Sequence, residues 1–264
     1  LMEQYLPRFA GDAIPATDTG AALALADRLD TLVGIFSIGQ QPSGSRDPFA
    51  LRRASLGILR IIIERNIDLD LKLAISAAAQ QLNITERTDE LCLEVLTYIL
   101  ERFKAWYRDE SIDPEVFASV AALGLSNPLD IDARVKAVDQ FTRLPEAVAL
   151  ASANKRVFNI LAKQVAETIP AAIDNSLLVD AAEQQLADKI TQLSTVIAPL
   201  LEQRDYAGVL KQLALLRESV DQFFDDVMVM IEDDAIRANR LALLHSLRSL
   251  FLNVADISQL VVSK

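Results

Sequence analysis

Arginine is the residue type whose spacing in this sequence suggests chemistry. Arg46, Arg52, Arg53, Arg60 and Arg65 crowd one stretch, and with Arg28 they face only Asp30, Asp47 and Glu64, a local excess of three positive charges. The whole chain of 264 residues carries a formal net charge of −11. Guanidinium groups at this density suit phosphate, which they engage in paired, charge-assisted hydrogen bonds. An acidic remainder repels loose polyanions, so binding is expected on these local faces alone. Lys155-Arg156 forms a second basic spot, and Arg237, Arg240 and Arg248 a third. The candidate contacts are therefore Arg46, Arg52, Arg53, Lys155, Arg156, Arg237, Arg240 and Arg248. For each the alternative is an ion pair with a neighbouring carboxylate. Trp106 and Tyr107 could stack on a base, or cover a helix junction.

Catalytic chemistry has fewer openings. The chain holds one histidine, His245, and one cysteine, Cys92. No Ser-His-Asp set, metal-ligand cluster or nucleotide-binding glycine pattern is present, and Gly39 with Gly44 is a weak signal. No catalytic residue and no metal site is expected, and His245 reads as a packed or surface residue. A lone cysteine permits no internal disulfide, which fits a reducing cytoplasm. No apolar run reaches the ~18 residues that would cross a bilayer, and no signal peptide is expected.

The elements that must position these residues read as helices. Thr17 or Asp18 caps a first helix to about Phe36, with Leu25, Leu29, Leu32, Val33 and Phe36 at helical spacing. Gly39 to Arg46 is a break, and Asp47-Pro48 restarts the chain with Pro at the first helical position. The second helix carries its arginines around a stripe of Leu51, Leu56, Leu59 and Ile63. Further helices are predicted over Leu69–Leu82 and, unbroken, over Thr88–Arg108, with Leu91, Val95, Tyr98, Ile99 and Phe103 inward. Asp113-Pro114 and Asn127-Pro128 are two more starts, and Pro145 opens the next helix. Thr168 to Ser176 marks a boundary. A long helix from Leu177 to Arg204 is expected to kink or restart at Pro199, and another spans Asp205 to Arg217. An acidic turn then leads into a last helix with a stripe of Leu241, Leu244, Leu247, Leu250 and Phe251. Met228 and Met230 read as packing residues. The chain is all-α.

Three stretches carry a resemblance. ADRLDTLVGIFSIGQQPSGSRDPFALRRASLGILRII at 26–62, NKRVFNIL at Asn154–Leu161 and the run Val220–Leu260 resemble bacterial glycyl-tRNA synthetase β subunits, the type built from separate α and β chains. The resemblance implies a C-terminal fragment of a longer subunit, in three parts: 1–66 as the end of an HD-like domain, 67–172 as a helical connecting domain, and 173–264 as a DALR-type anticodon-binding helical bundle. It implies tRNA(Gly) and the synthetase α subunit as partners. ATP and Mg would be used by the whole enzyme, with no cofactor in this fragment, which alone is expected to be inactive. The eight basic residues named above become candidate tRNA contacts, though the resemblance fixes none of their roles. ALADRLD also resembles the last motif of HD phosphohydrolases, in which Asp27 would match a metal-binding Asp. That motif needs histidines, so Asp27 and Asp30 are expected to cap locally or pair with Arg28. A phosphohydrolase remnant and a purely structural helical scaffold remain as alternatives.

Overall fold

The computed structural model describes residues 2–9, 11–44, 46–164 and 169–261. Among them no β-strand forms, and the one isolated bridge joins Ser43 and Arg46. The chain divides into two compact units, residues 1–111 with 125–132, and residues 112–124 with 133–264.

The first unit is built from α1 (Asp18–Ser37), α2 (Leu51–Glu64), α3 (Leu71–Gln81), α4 (Thr88–Leu100) and α5 (Arg102–Asp109). Thr17 caps α1, its side chain accepting from the Gly20 N–H at 3.0 Å. α1 packs on α2, α3 and α4, burying Leu25, Leu29, Leu32, Val33 and Phe36 as its spacing predicts. The start of α2 differs from expectation. The Asp47 carboxylate accepts from the N–H groups of Leu51 (2.8 Å) and Arg52 (3.0 Å), and Ala50 takes a left-handed φ of 55°. The helix therefore begins at Leu51, and Pro48 lies in the turn before it. Because α2 packs against α1, α4 and α5, it buries a wide face of Leu51, Ser55, Ile58, Leu59, Ile61 and Ile62. Leu56 and Ile63 of the expected stripe are only half-buried. The helix predicted over Thr88–Arg108 is interrupted at Glu101, giving α4 and α5. Residues 125–132 join this unit through Ser126, whose carbonyl accepts from the Leu71 N–H (3.0 Å) and whose hydroxyl donates to Asp70 (2.8 Å).

Arg28 ties the start of this unit together. Its guanidinium is buried and donates to the carbonyls of Gln4 (3.0 Å), Ala24 (2.8 Å), Leu6 (2.8 Å) and Pro7 (3.1 Å). The expectation that it pairs with Asp27 or Asp30 is thus corrected: both carboxylates are exposed, and the charge turns inward to satisfy main-chain oxygens of the 3-10 turn Met2–Tyr5 and the residues after it. Burial lowers the Arg28 pKa, opposed by the charge of Asp27. Room for the side chain comes from Gly57, where a Cβ would lie 2.8 Å from Arg28 Nε.

The second unit holds α6 (Pro114–Ala121), most of α7 (Pro128–Thr142), α8 (Ala147–Leu161), α9 (Ala181–Glu202), α10 (Tyr206–Leu213), α11 (Arg217–Asp226) and α12 (Asp234–Leu252). α9 packs on α10, α11 and α12, and α8 on α11 and α12. α9 runs through Pro199 without a restart: the proline forgoes its own bond to the Thr195 carbonyl, but the turn beyond it keeps its bonds, Gln203 N–H donating to the Pro199 carbonyl (3.2 Å) and Asp205 N–H to the Leu200 carbonyl (2.9 Å). Asp233 caps α12 by accepting from Ala235 and Ile236, both at 3.0 Å. The predicted stripe Leu241, Leu244, Leu247, Leu250 and Phe251 is buried. Of the packing methionines, Met228 and Met230 are instead exposed, in the loop between α11 and α12. The expected boundary at Thr168 to Ser176 begins outside the described residues; Asp174 within it is held by Asn239, which accepts from its N–H (2.7 Å) and donates to its carbonyl (3.0 Å).

Candidate nucleic-acid interface

In the first unit two helices bring arginines and an indole to one cleft. α2 supplies Arg52, Arg53, Leu56, Arg60 and Glu64, spaced to share a face, and α5 supplies Arg102, Ala105, Trp106, Asp109 and Glu110. The cleft has a volume of about 580 Å³. Its four guanidinium groups differ in freedom. Arg60 is held by Glu64 at 2.6 Å, and Arg52 donates to the Gly44 carbonyl. Arg102 lies 4.9 Å over the Tyr98 ring. Arg53 is exposed and has no hydrogen-bond or ion-pair partner among the described residues. The Trp106 indole N–H donates to Glu110 (2.5 Å), and its ring sits edge-on to Phe103 at 6.1 Å. Such a wall offers cations for phosphate beside an aromatic plane for a base.

Tyr107 does not share this role. It is buried, stacks on Phe103 at 5.1 Å and donates to Asp132 at 3.2 Å. Burial, then the charge of Asp132 beside it, pushes its pKa up. Of the pair, Trp106 lines the cleft and Tyr107 covers the junction. Arg102 was not among the sequence candidates. The signal that could have found it is the four-residue spacing from Arg102 to Trp106, which stacks the two on one helix face.

Other basic residues of this stretch serve elsewhere. Arg46 is exposed beyond the cleft lining, its N–H bonded to the Ser43 carbonyl at 3.0 Å. Arg65 donates to the Ala16 carbonyl and pairs with Asp18 at 2.5 Å. With Arg28 buried, the local charge excess counted along the sequence shrinks to the α2–α5 face.

In the second unit the candidates divide by helix. Lys155 and Arg156 of α8 are exposed; Lys155 has no partner among the described residues, and Arg156 lies 4.2 Å over Phe224. The α12 arginines turn to the fold. Arg237 pairs with Asp234 and donates to the Ile231 carbonyl at 2.7 Å. Arg240 is buried, bonded to Glu183, to Asp180 at 2.7 Å and to the Met228 carbonyl at 2.7 Å. Glu183 itself, fully buried, also accepts from the Val179 (2.9 Å) and Asp180 (3.0 Å) N–H groups in a capping box. Arg248 pairs with Asp256 at 2.8 Å and lies 4.8 Å over Phe158. Burial alone would raise the Asp256 pKa, but the Ser258 hydroxyl and then Arg248 outweigh it and hold the carboxyl below its usual range. For Arg237 and Arg240 the structure therefore gives the ion-pair alternative, and His245 is exposed on α12.

No group of three His, Cys, Asp or Glu side chains that could hold a metal forms among the described residues, and no described helix is long and apolar enough to cross a membrane. Asp27 stands exposed on α1, with its carbonyl accepting from Thr31 at 2.9 Å.

Known families match the chain in two successive stretches. Residues 1–122 match the family described as glycyl-tRNA synthetase beta subunit, and residues 150–258 match the DALR anticodon binding domain. The glycine–tRNA ligase beta subunit of Marinobacter nauticus is 56% identical over 260 residues, 98% of this chain and 37% of that protein. That of Pseudomonas aeruginosa LESB58 is 55% identical over 98% of this chain and 38% of its own length, and that of Shewanella sp. MR-4 is 52% identical over 98% and 37%. The chain thus spans little more than a third of the length of these curated relatives. With its two halves matched in order and half of its residues shared, the chain belongs to the glycyl-tRNA synthetase beta subunit family.

Proposed function

We propose that this chain is the tRNA-binding, anticodon-recognising part of a glycine–tRNA ligase β subunit, supporting ATP- and Mg-dependent charging of tRNA(Gly) on the α subunit. Its place of work is the cytoplasm. Residues 1–66 form the end of an HD-like domain, 67–172 a connecting domain and 173–264 the anticodon-binding bundle; the match to the DALR anticodon binding domain over 150–258 supports an anticodon-binding part in the second half, and it begins ahead of residue 173. The observation that carries the reading is the α2–α5 cleft, where four arginines and Trp106 converge in a chain of net charge −11. Contacts confined to such a cleft position the nucleic acid, while the acidic surroundings repel loose binding. In this reading ATP and Mg serve the whole enzyme and this part binds no cofactor of its own. A phosphohydrolase reading is weaker, because Arg28 beside Asp27 is held by backbone carbonyls and the sequence has no histidine before His245.

A filter-binding titration of glycine tRNA against salt tests the reading. Changing Arg52 and Arg53 together to Ala should weaken binding and lower the log–log salt slope by about 0.9 for each duplex phosphate that is no longer neutralised. An unchanged affinity and slope would remove tRNA from the cleft. If assembly with the α subunit then fails, the cleft is a subunit contact. Incubated with glycine, ATP and tRNA, the chain alone should yield no charged product; activity that follows it through purification would overturn the supporting role.

A further inference from the structure

We propose that Phe158 of α8 is a stacking platform for one unpaired base of tRNA, with Arg248 fixing its ring and Lys155 taking the adjoining phosphate. This rests on the tRNA-binding reading above and adds the residues by which the second unit makes contact.

The arginines of α12 are poorly placed to meet a base. Arg240 is 4% exposed and fully engaged by Glu183, Asp180 and the Met228 carbonyl, so it has no face to offer. Arg237 holds the loop before its own helix. Of the basic candidates in this unit, Lys155 and Arg156 of α8 stand exposed, and beside them stands an aromatic. Phe158 is 39% exposed although it belongs to a helix whose inner side buries Leu150, Ala151, Asn154 and Val157.

A single exposed apolar side chain means little by itself. Here the ring is also braced. The Arg248 guanidinium covers it at 4.8 Å, and that guanidinium is anchored to Asp256 at 2.8 Å. Asp256 is held in turn by the Ser258 hydroxyl (2.6 Å) and N–H (3.2 Å). A ring fixed from one side loses little further freedom when a base settles on its open surface, which favours stacking over a mobile side chain. Lys155 lies three residues earlier, one helical turn away on the neighbouring face, exposed and without a partner among the described residues. Asn159, also exposed, brings an amide able to donate to and accept from a base edge. Aromatic plane, free cation and amide together match a nucleotide of a splayed single-stranded loop, the form in which RNA bases are read. A buried duplex groove would give no such access.

The test uses the chain with a glycine-tRNA anticodon stem-loop and with whole glycine tRNA. Phe158→Leu keeps apolar bulk and removes the aromatic plane; it should weaken stem-loop binding by roughly 5- to 150-fold with the salt slope unchanged. Phe158→Trp should restore binding. Lys155→Ala should instead lower the slope, by about 0.7 if one single-strand phosphate is freed. Equal affinity of Phe158→Leu and the unchanged chain overturns the proposal, as does equal loss with Leu and Trp, which would mark a packing role. If the unchanged chain binds whole tRNA but not the stem-loop, the stacking proposal fails while tRNA binding stands. If it binds neither, tRNA binding itself is refuted.

Discussion

In the first unit the arginines of α2 and α5 line an open cleft; in the second those of α12 fold back on their own surroundings. Arg53 stands exposed without a partner among the described residues, whereas Arg240 is enclosed by two carboxylates and a carbonyl. Both belong to helices that carry several arginines. What separates them is the presence of a fully buried carboxylate, Glu183, within reach of one and not the other. A buried anion requires a cation close by, so Arg240 is recruited into the fold. Glu64 on the open helix is exposed and holds Arg60 only. Basic residues are thus available for a ligand where no interior carboxylate competes for them.

The contrast can be broken most directly at Arg240. Arg240→Met should leave the buried Glu183 carboxylate without its cation, costing about 3–5 kcal/mol in urea denaturation. Adding Glu183→Gln should recover part of that loss. A stable Arg240→Met chain would mean the enclosed arginine is as dispensable as the open one.

Gly57→Ala probes the other enclosed arginine, Arg28. An alanine in a helix interior is worth ~1 kcal/mol over glycine, yet here its Cβ would press on Arg28 Nε and displace a charged donor from its carbonyls. Hydrogen bonds to charged groups contribute about 1.5–3 kcal/mol each, so a net loss of about 0.5–2 kcal/mol is expected from the same denaturation measurement. A net gain would show the cage to be loose.

Asp256 sharpens the comparison through pH. Its folded pKa lies below the unfolded value, so its stabilisation is fully present above that value, near 4 for a free Asp, and is lost as pH falls through the lower folded one. Asp256→Asn should flatten the acid side of a stability-against-pH curve and leave the neutral side level. A parallel curve at all pH values would mean the carboxylate titrates alike folded and unfolded.

The smallest expected effect on stability is at Arg53. Arg53→Ala should shift unfolding by less than about 0.5 kcal/mol while it weakens tRNA binding. Loss of stability without loss of binding would reverse the assignment of the two units.

How far the sequence spoke depended on distance along the chain. Local signals were dependable: the Thr17 cap, the α1 and α12 stripes and the break after α1 follow from neighbours within one or two turns. Asp47 was legible as a cap, but the left-handed Ala50 that moves the start of α2 to Leu51 has no composition signal. The fate of Arg240 could not be read, because Glu183 lies 57 residues away. For the same reason the meeting of Arg102 and Trp106 with Arg52, Arg53 and Arg60 belongs to packing between helices. Arg28 looked like part of a basic surface because its true partners, carbonyls of residues 4–7, carry no side-chain signature.

The Arg28 cage also limits the routes by which this sequence can change. Any residue larger than glycine at position 57 meets the guanidinium, so such a change costs stability unless position 28 has first shortened. Shortening position 28 first strands the carbonyls of Gln4, Leu6 and Pro7 that the guanidinium serves. Each single step therefore runs downhill in stability, and the two positions exchange most cheaply together. Arg28 and Gly57 should behave as one heritable unit, although neither of them lines the α2–α5 cleft.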